Sequence, residues 1–258
     1  MLVEPPPTQF DLKWQMLGMP VRVHPLFWLI TLVFGWNGSA GRWDLILTWV
    51  ACVFVSILVH ELGHALVARA SGAEGVRIVL YGMGGLAIHQ GGDQRRWQRV
   101  VELLMGPGAG FLLLGLVCLP LWFLVFPSLN PIPELLWVAF WDLLQINLFW
   151  GVVNLLPVYP LDGGQIAWEL LDAPRRRERR VLTHKLGIGV GVGVAILFVA
   201  TTRVMGIGDA IGLFPALLFL LLAFDNWRLM QVARTPAWIG DEAPREPWER
   251  DPDWWKGR

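Results

Sequence analysis

The 258-residue sequence predicts an all-α membrane protein: a six-span bundle of transmembrane helices with one short membrane-associated β-hairpin after the second span. Three observations point to it. Hydrophobic residues make up 55% of the chain and charged residues 16%, against about a quarter charged in an ordinary soluble domain, and the mean hydropathy is +0.49. Apolar runs long enough to cross a bilayer recur between short polar stretches. Many of the 16 tryptophans fall near the ends of those runs, where aromatic belts sit. The formal net charge is zero and basic residues occur in short clusters, so no electrostatic footprint for nucleic acid exists. The two cysteines, Cys52 and Cys118, lie inside apolar runs, so no disulfide framework is implied and no redox compartment is revealed.

In chain order, residues 1–20 form a polar, proline-containing surface segment without the basic start of a cleaved signal peptide. The first span is expected from Val23-His24-Pro25 to about Trp36, with His24 at the membrane interface. The second runs from Trp43 to about Ala70. Val76-Arg77-Ile78-Val79-Leu80-Tyr81 and Leu86-Ala87-Ile88-His89 flank a glycine-rich turn and predict the hairpin. Those glycines lack the lysine and hydroxyl of a phosphate-binding loop. The third span, about Trp97 to Phe126, contains Met105-Gly106-Pro107-Gly108-Ala109-Gly110, where a bend or break and a close helix approach are expected.

The fourth span runs from about Glu134 to Leu156 and ends in Pro157-Val158-Tyr159-Pro160-Leu161-Asp162-Gly163-Gly164. Two prolines and an Asp-Gly pair cannot continue a regular helix, so the backbone opens there before a short amphipathic segment, Gln165 to Leu171. The arginine-rich stretch 175–180 precedes a fifth span, about His184 to Met205, whose glycines at 187, 189, 191 and 193 suit helix packing. A sixth runs from about Gly208 to Met230. Residues 21–230 thus form the core, and the polar, Trp-rich residues 231–258 a tail. Arginine is concentrated in loops 71–96 and 173–183 and absent from 127–133, which predicts a multi-pass protein of the cell (inner) membrane with both termini cytoplasmic. The arginine cluster is expected to set orientation and meet anionic lipid.

The second span carries His60-Glu61-Leu62-Gly63-His64. Two histidines four residues apart share one helix face, the spacing that two ligands of one tetrahedral metal need. Glu61, next to His60, is placed to take a proton from a water activated by that metal. A chance His pair is the plain alternative, but ionisable groups inside a span are costly and by default functional. A catalytic zinc commonly keeps three protein ligands. Asp162 is the best third candidate, because irregular backbone at membrane depth is tolerated only when it is buried in protein or lines a wet cavity. The competing reading is an Asp-Gly turn at the membrane surface.

These residues closely resemble the site-2 protease family, the intramembrane zinc metalloproteases of peptidase family M50. That family joins His-Glu-x-x-His in one span to Asn-x-x-Pro and Asp-Gly in a later one. Here the second element is Asn154-x-x-Pro157-x-x-Pro160-Leu161-Asp162-Gly163. Val21-Arg22-Val23-His24-Pro25 and Gly106-Pro107 are also similar, so the resemblance spans residues 18–170. It implies a bare six-span core holding one zinc per chain through His60, His64 and Asp162. Glu61 would be the catalytic base, with Asn154, Pro157 and Gly163 supporting the site or the substrate. Family members often have Asn three residues after Gly-Pro, where this chain has Gly110.

The implied reaction is hydrolysis of a peptide bond in or near the transmembrane segment of a membrane-anchored protein, with the lipid bilayer and a regulatory membrane partner as further contacts. Such a substrate must be opened, and two readings of Val76–Leu80 stand side by side: its edge receives the substrate as an added strand, or the segment merely plugs the membrane surface. The main rival is a metal or proton transporter that uses the same cluster as a permeation site; the paired charges or internal repeat of a permease are not seen. A catalytically silent scaffold would not need Glu61.

Overall fold

The computed structural model describes residues 4–39, 41–82, 84–90, 95–171, 176–205 and 209–234. They divide into two compact parts, residues 1–172 and 173–258. The tail beyond residue 234 and Arg175 lie outside the described residues.

In the first part, strands β1 (Leu12–Met16) and β2 (Met19–Val23) precede helices α1 (Pro25–Gly38) and α2 (Trp43–Ala70). Strands β3 (Glu74–Tyr81) and β4 (Gly84–Gln90) lead into α3 (Arg96–Leu113), whose path continues through π and 3-10 turns to Ser128. Helix α4 (Glu134–Gln145) continues through a π turn into α5 (Gly151–Asn154), and α6 (Asp162–Leu170) follows a short break. Among the described residues, five helical stretches are long and apolar enough to cross a membrane: Trp43–Ala70, Arg96–Ser128, Glu134–Asn154, Glu178–Thr202 and Phe214–Arg234. Helix α1, expected as a sixth, has 14 residues and rises only about 21 Å at 1.5 Å per residue, short of a hydrocarbon core of about 30 Å. Leu116 and Leu124 on the Arg96–Ser128 stretch are 76% and 73% exposed, a surface suited to lipid and not to water.

Helical structure is joined by more sheet than the expected hairpin. The strands form one sheet in the order β1-β2-β3-β4, with β1 and β2 antiparallel, β2 and β3 parallel, and β3 and β4 antiparallel. Residues 12–23 are therefore not a simple surface lead-in. Leu-Lys-Trp-Gln-Met and Met-Pro-Val-Arg-Val each alternate in polarity, the period of a half-buried strand, and Leu17 and Gly18, both with positive φ, make the two-residue turn between them. Met19, Val21, Val23, Ile78 and Leu80 are almost wholly buried, packed with Phe27, Ala65 and Ala68. At roughly 25 cal/mol per Å2 of apolar surface, each large side chain contributes on the order of 2 kcal/mol to holding the sheet on α1 and α2.

The parallel pairing Val21↔Ile78, Arg22↔Val79, Val23↔Leu80 corrects the expectation that Val76–Leu80 presents an open edge. Strand β3 is internal, and the open edge next to α2 is β4. His24 also departs from an interfacial role: it is 7% exposed, its Nδ1 accepts from the Leu26 amide at 3.2 Å as the N-cap of α1, and its ring meets Tyr81 edge-on. A cap of this kind is worth about 1 kcal/mol.

Pro107 lies inside α3 without ending it. Of the expected bend or break, the break does not occur: α3 runs on through Pro107 to Leu113. The glycines do permit close approach: a Cβ on Gly63 would fall 2.0 Å from the Met105 carbonyl oxygen. The break after Asn154 is present, and α6 begins at Asp162.

In the second part, α7 (Arg176–Met205) and α8 (Asp209–Arg234) pair. The helix starts within the arginine cluster, earlier than the expected His184. Gly187 and Gly191 face α8, where added Cβ atoms would meet Asn226 Oδ1 at 2.6 Å and Ala223 Cβ at 3.1 Å, whereas Gly189 and Gly193 face nothing. His184 Nδ1 and Asn226 Oδ1 are 3.0 Å apart, a polar link of the kind that joins helices in lipid.

Candidate metal centre

The site is assembled from α2, α3, α5, α6 and β4. His60 and His64, one helical turn apart on α2, bring their Nε2 atoms to 3.2 Å of each other. Asp162, the first residue of α6, places Oδ2 3.3 Å from His60 Nε2 and 3.4 Å from His64 Nε2. These are the residues among those described whose side chains form a cluster able to hold a metal ion.

The triangle fits zinc. Ligand atoms bonded at about 2.05 Å in a tetrahedron stand about 3.3 Å apart, which matches all three edges. Asp162 Oδ2 is buried and has no hydrogen-bond partner, an arrangement that costs free energy unless a cation or donor satisfies it. Two imidazoles and a carboxylate are also the donor set that zinc accepts, with a fourth position left open.

Local sequence explains how each donor is held. His64 Nδ1 lies 2.8 Å from the Glu102 carbonyl oxygen on α3; the N–H at Nδ1 donates to it, which leaves the Nε2 lone pair directed at the centre. Space for the imidazoles comes from Gly106, where a Cβ would meet His64 Nε2 at 2.1 Å and His60 Nε2 at 2.9 Å. Asp162 is set by the glycines that follow it. A Cβ on Gly163 would fall 2.1 Å from the Leu155 carbonyl oxygen, and one on Gly164 would fall 2.4 Å from the Tyr159 amide nitrogen. Helix α6 therefore packs directly against the break. Pro157 lies within that break, where the Val158 and Leu161 amides donate to the carbonyls of Leu156 and Val158 at 2.7 and 2.9 Å. Gly163 and Pro157 thus shape the backbone that carries Asp162.

Glu61 is 6% exposed and its carboxylate lies against β4. A Cβ on Gly85 would meet Glu61 Cγ at 2.2 Å and Oε1 at 2.7 Å. Asn154 Nδ2 is 3.4 Å from His60 Nε2, at the long limit of a hydrogen bond. The residues singled out from the sequence, Glu61, His60, His64, Asp162, Asn154, Pro157 and Gly163, are thus brought to one place.

Four contributors have roles that a sequence reading does not assign. Gly85, Gly106, marked there only for close helix approach and family likeness, and the Glu102 carbonyl act through space or backbone. The fourth is Asn147, 5% exposed, whose Nδ2 donates to Ser56 Oγ at 2.8 Å and whose Oδ1 would lie 3.0 Å from a Cβ on Gly110. The polar group missing at position 110 has a counterpart in Asn147 on the facing helix, and Gly110 leaves it room. An asparagine inside an apolar span was the available signal.

The family model of peptidase family M50 matches residues 48–134 and 127–200, more than half of the chain. A putative zinc metalloprotease of Synechocystis is 32% identical over 171 residues, covering 60% of this chain and 43% of that protein. A zinc metalloprotease of Methanocaldococcus jannaschii is 29% identical over 161 residues, covering 61% of this chain and 44% of that protein. The chain thus spans less than half the length of these relatives. The solved structure of a site-2 protease from Methanocaldococcus jannaschii has a similar fold, with a TM-score of 0.51 and 21% identity, over 90% of this chain and 100% of that one. The family match, together with a His-Glu-x-x-His helix facing an Asp-Gly turn across a zinc-sized triangle, shows that the chain belongs to peptidase family M50.

Proposed function

We propose that this chain is a zinc-dependent intramembrane endopeptidase that hydrolyses a peptide bond in or near the transmembrane segment of a membrane-anchored protein. The observation that carries this reading is the triangle of His60 Nε2, His64 Nε2 and Asp162 Oδ2, with edges of 3.2 to 3.4 Å, and the buried carboxylate of Glu61 beside it. The names of its relatives support the same chemistry.

His60, His64 and Asp162 would hold a zinc ion, which would supply the Lewis acidity needed to acidify water and polarise the scissile carbonyl. Glu61 accepts the proton of the attacking water and delivers it to the departing amine as the C–N bond breaks, so one water is consumed per peptide bond. Gly85 keeps that carboxylate in place and dry. Asn154 offers an amide donor at the mouth of the triangle, suited to a substrate carbonyl oxygen.

A helical substrate hides its carbonyls in hydrogen bonds, so the cleaved segment must be extended. The open edge of β4 is suited to receive it, since an added strand is held by main-chain bonds and β4 already touches Glu61 through Gly85. Helix-weakening residues in the substrate favour such opening. We also infer a core at residues 21–230 with both termini cytoplasmic in the inner membrane, from the arginine distribution and from the pairing of β2 with β3, which puts both ends of the α1–α2 hairpin on one side so that short α1 counts as a crossing beside the five longer stretches, and regulation through a membrane partner.

Reconstitution in liposomes with a dye-labelled single-span peptide interrupted by an Asn-Gly pair tests the function. Chelator-sensitive cleavage by the native chain, abolished in Glu61→Gln with metal retained, is expected. Equal cleavage by native chain and Glu61→Gln would overturn the assignment of the base.

A further inference from the structure

The far end of β4 is tied to the metal centre by residues that the proposed chemistry does not use. His89 Nε2 lies 3.1 Å from Glu102 Oε1, and Arg99 Nη1 donates to the same oxygen at 3.0 Å. Glu102 is 4% exposed. Its side chain therefore faces β4, while its own carbonyl accepts from His64 Nδ1 at 2.8 Å. One residue thus joins the strand edge to a metal ligand. The chain of contacts runs from His89 through the Glu102 carboxylate, along the Glu102 backbone, to His64.

Burying a carboxylate costs several kcal/mol unless it is paired and hydrogen-bonded. A carboxylate kept for packing alone would be a poor choice when an apolar residue of similar volume would fit. Glu102 Oε2 and His89 Nδ1 are both buried without a hydrogen-bond partner, so the pair is not the minimum-cost way to fill this space. What the pairing does provide is direction. Strand β4 is held at Gly85 by the Glu61 side chain and at His89 by Glu102, so its open edge has one placement relative to the triangle. Arg99 supplies the compensating charge from the preceding turn of α3. A second cation site is not the better reading, since the Arg99 guanidinium already occupies the position beside Glu102 Oε1.

We propose that His89 and Glu102 are positioning residues whose contact, shared with Arg99, clamps the end of edge strand β4 to α3 and through the Glu102 carbonyl holds His64 in alignment. The inference rests on the zinc-site and β4-edge readings above. It makes the substrate-receiving strand and one metal ligand parts of a single rigid connection.

The test needs no substrate, so it can fail while the edge reading stands; if the native chain takes up no cobalt, the zinc reading itself fails. The purified chain is loaded with cobalt(II), whose visible absorption reports ligand geometry, and metal retention is measured by chelator competition. His89→Ala and Glu102→Ala are expected to retain one cobalt per chain, shift the absorption and weaken metal retention by up to about tenfold, the low end of the effect of removing a histidine's direct partner, because the Glu102 carbonyl is loosened and not removed. Amide hydrogen exchange in 86–90 should rise in both variants, with exchange in 12–23 unchanged. Glu102→Gln keeps the backbone carbonyl and an acceptor for His89 and Arg99, and should restore the native spectrum. The double His89→Ala/Glu102→Ala variant should be no worse than either single variant, as for two ends of one contact. An unaltered cobalt spectrum and unaltered retention in a folded His89→Ala would overturn the proposal, as would full additivity in the double variant. If Glu102→Ala does not fold, His89→Ala with Glu102→Gln decides the matter alone.

Discussion

Gly106 stands against Nε2 of His64, one corner of the His60–His64–Asp162 triangle: a Cβ there would lie 2.1 Å from it. Helix α3 thus supports the centre twice in neighbouring turns, by the Glu102 carbonyl that orients His64 and by the missing side chain that admits it.

Gly106→Ala should therefore expel an imidazole from the centre. We expect loss of most bound zinc and all cleavage, whereas Gly108→Ala, whose Cβ would meet only Met105 Sδ at 3.7 Å, should be close to native in both. Elemental analysis of the two variants side by side checks this, and equal zinc in both would count against the packing described.

Gly85→Ala separates base from metal. The added methyl would fall 2.2 Å from Glu61 Cγ, and the three atoms nearest to it all belong to Glu61. Zinc content should stay near native and cleavage should fall at least a hundredfold, the scale expected when a general base is displaced. Parallel loss of zinc would mean that β4 supports the ligands more than the base.

Asn147→Leu removes the hydrogen bond to Ser56 Oγ and replaces a polar group with a bulkier one beside Gly110. Interhelical hydrogen bonds in a bilayer are worth about 1 kcal/mol, and the misfit adds to this, so we expect about 1 to 3 kcal/mol of lost stability. Unfolding of the variant in mixed micelles, compared with Ser56→Ala, measures it; an unchanged midpoint would show that the pair is inert.

The N-terminal segment gives a pH prediction. Hydrogen bonding from Arg77, aided by its charge and by Arg22, holds the Glu4 carboxyl below its ordinary 4.5. Burial raises the Asp11 carboxyl, but hydrogen bonds from Thr8 and Arg22 outweigh it and hold it below 3.8. A carboxyl with a lowered folded value stabilises the fold fully above its unfolded value, and this is lost as pH falls through the folded value. Residues 4–11 should stay docked on β2 and β3 at neutral pH and loosen only below about pH 4. Hydrogen exchange across pH 3 to 6 reads this directly, and Arg22→Ala should move the transition to higher pH. Loosening on raising the pH from 6 to 8 would have the wrong sign.

Legibility in the sequence followed the range of the interactions. His60, Glu61 and His64 are read from helical spacing alone, because four residues make one turn. Asp162 needed the further fact that two prolines and an Asp-Gly pair open a helix at membrane depth. The sheet was half seen. Strands β3 and β4 adjoin in sequence, but β2 pairs with β3 across all of α1 and α2, and no local period announces a parallel partner so far away. The alternation in residues 12–23 was present, yet Pro20 and a Leu-Gly turn disguised it; Pro20 is tolerated because the pairing with β3 begins at Val21. That hidden pairing moved the open edge from β3 to β4. Glu102 was illegible for another reason, since its carbonyl serves His64 and a backbone group leaves no mark in the residue type.

The central claim, one zinc held by His60, His64 and Asp162, is tested most directly by counting zinc in the purified chain. Elemental analysis should give one zinc per native chain and one in Glu61→Gln. Asp162→Ala should retain little, and the His60→Ala/His64→Ala double variant should retain none. A full complement of zinc in that double variant would contradict the account.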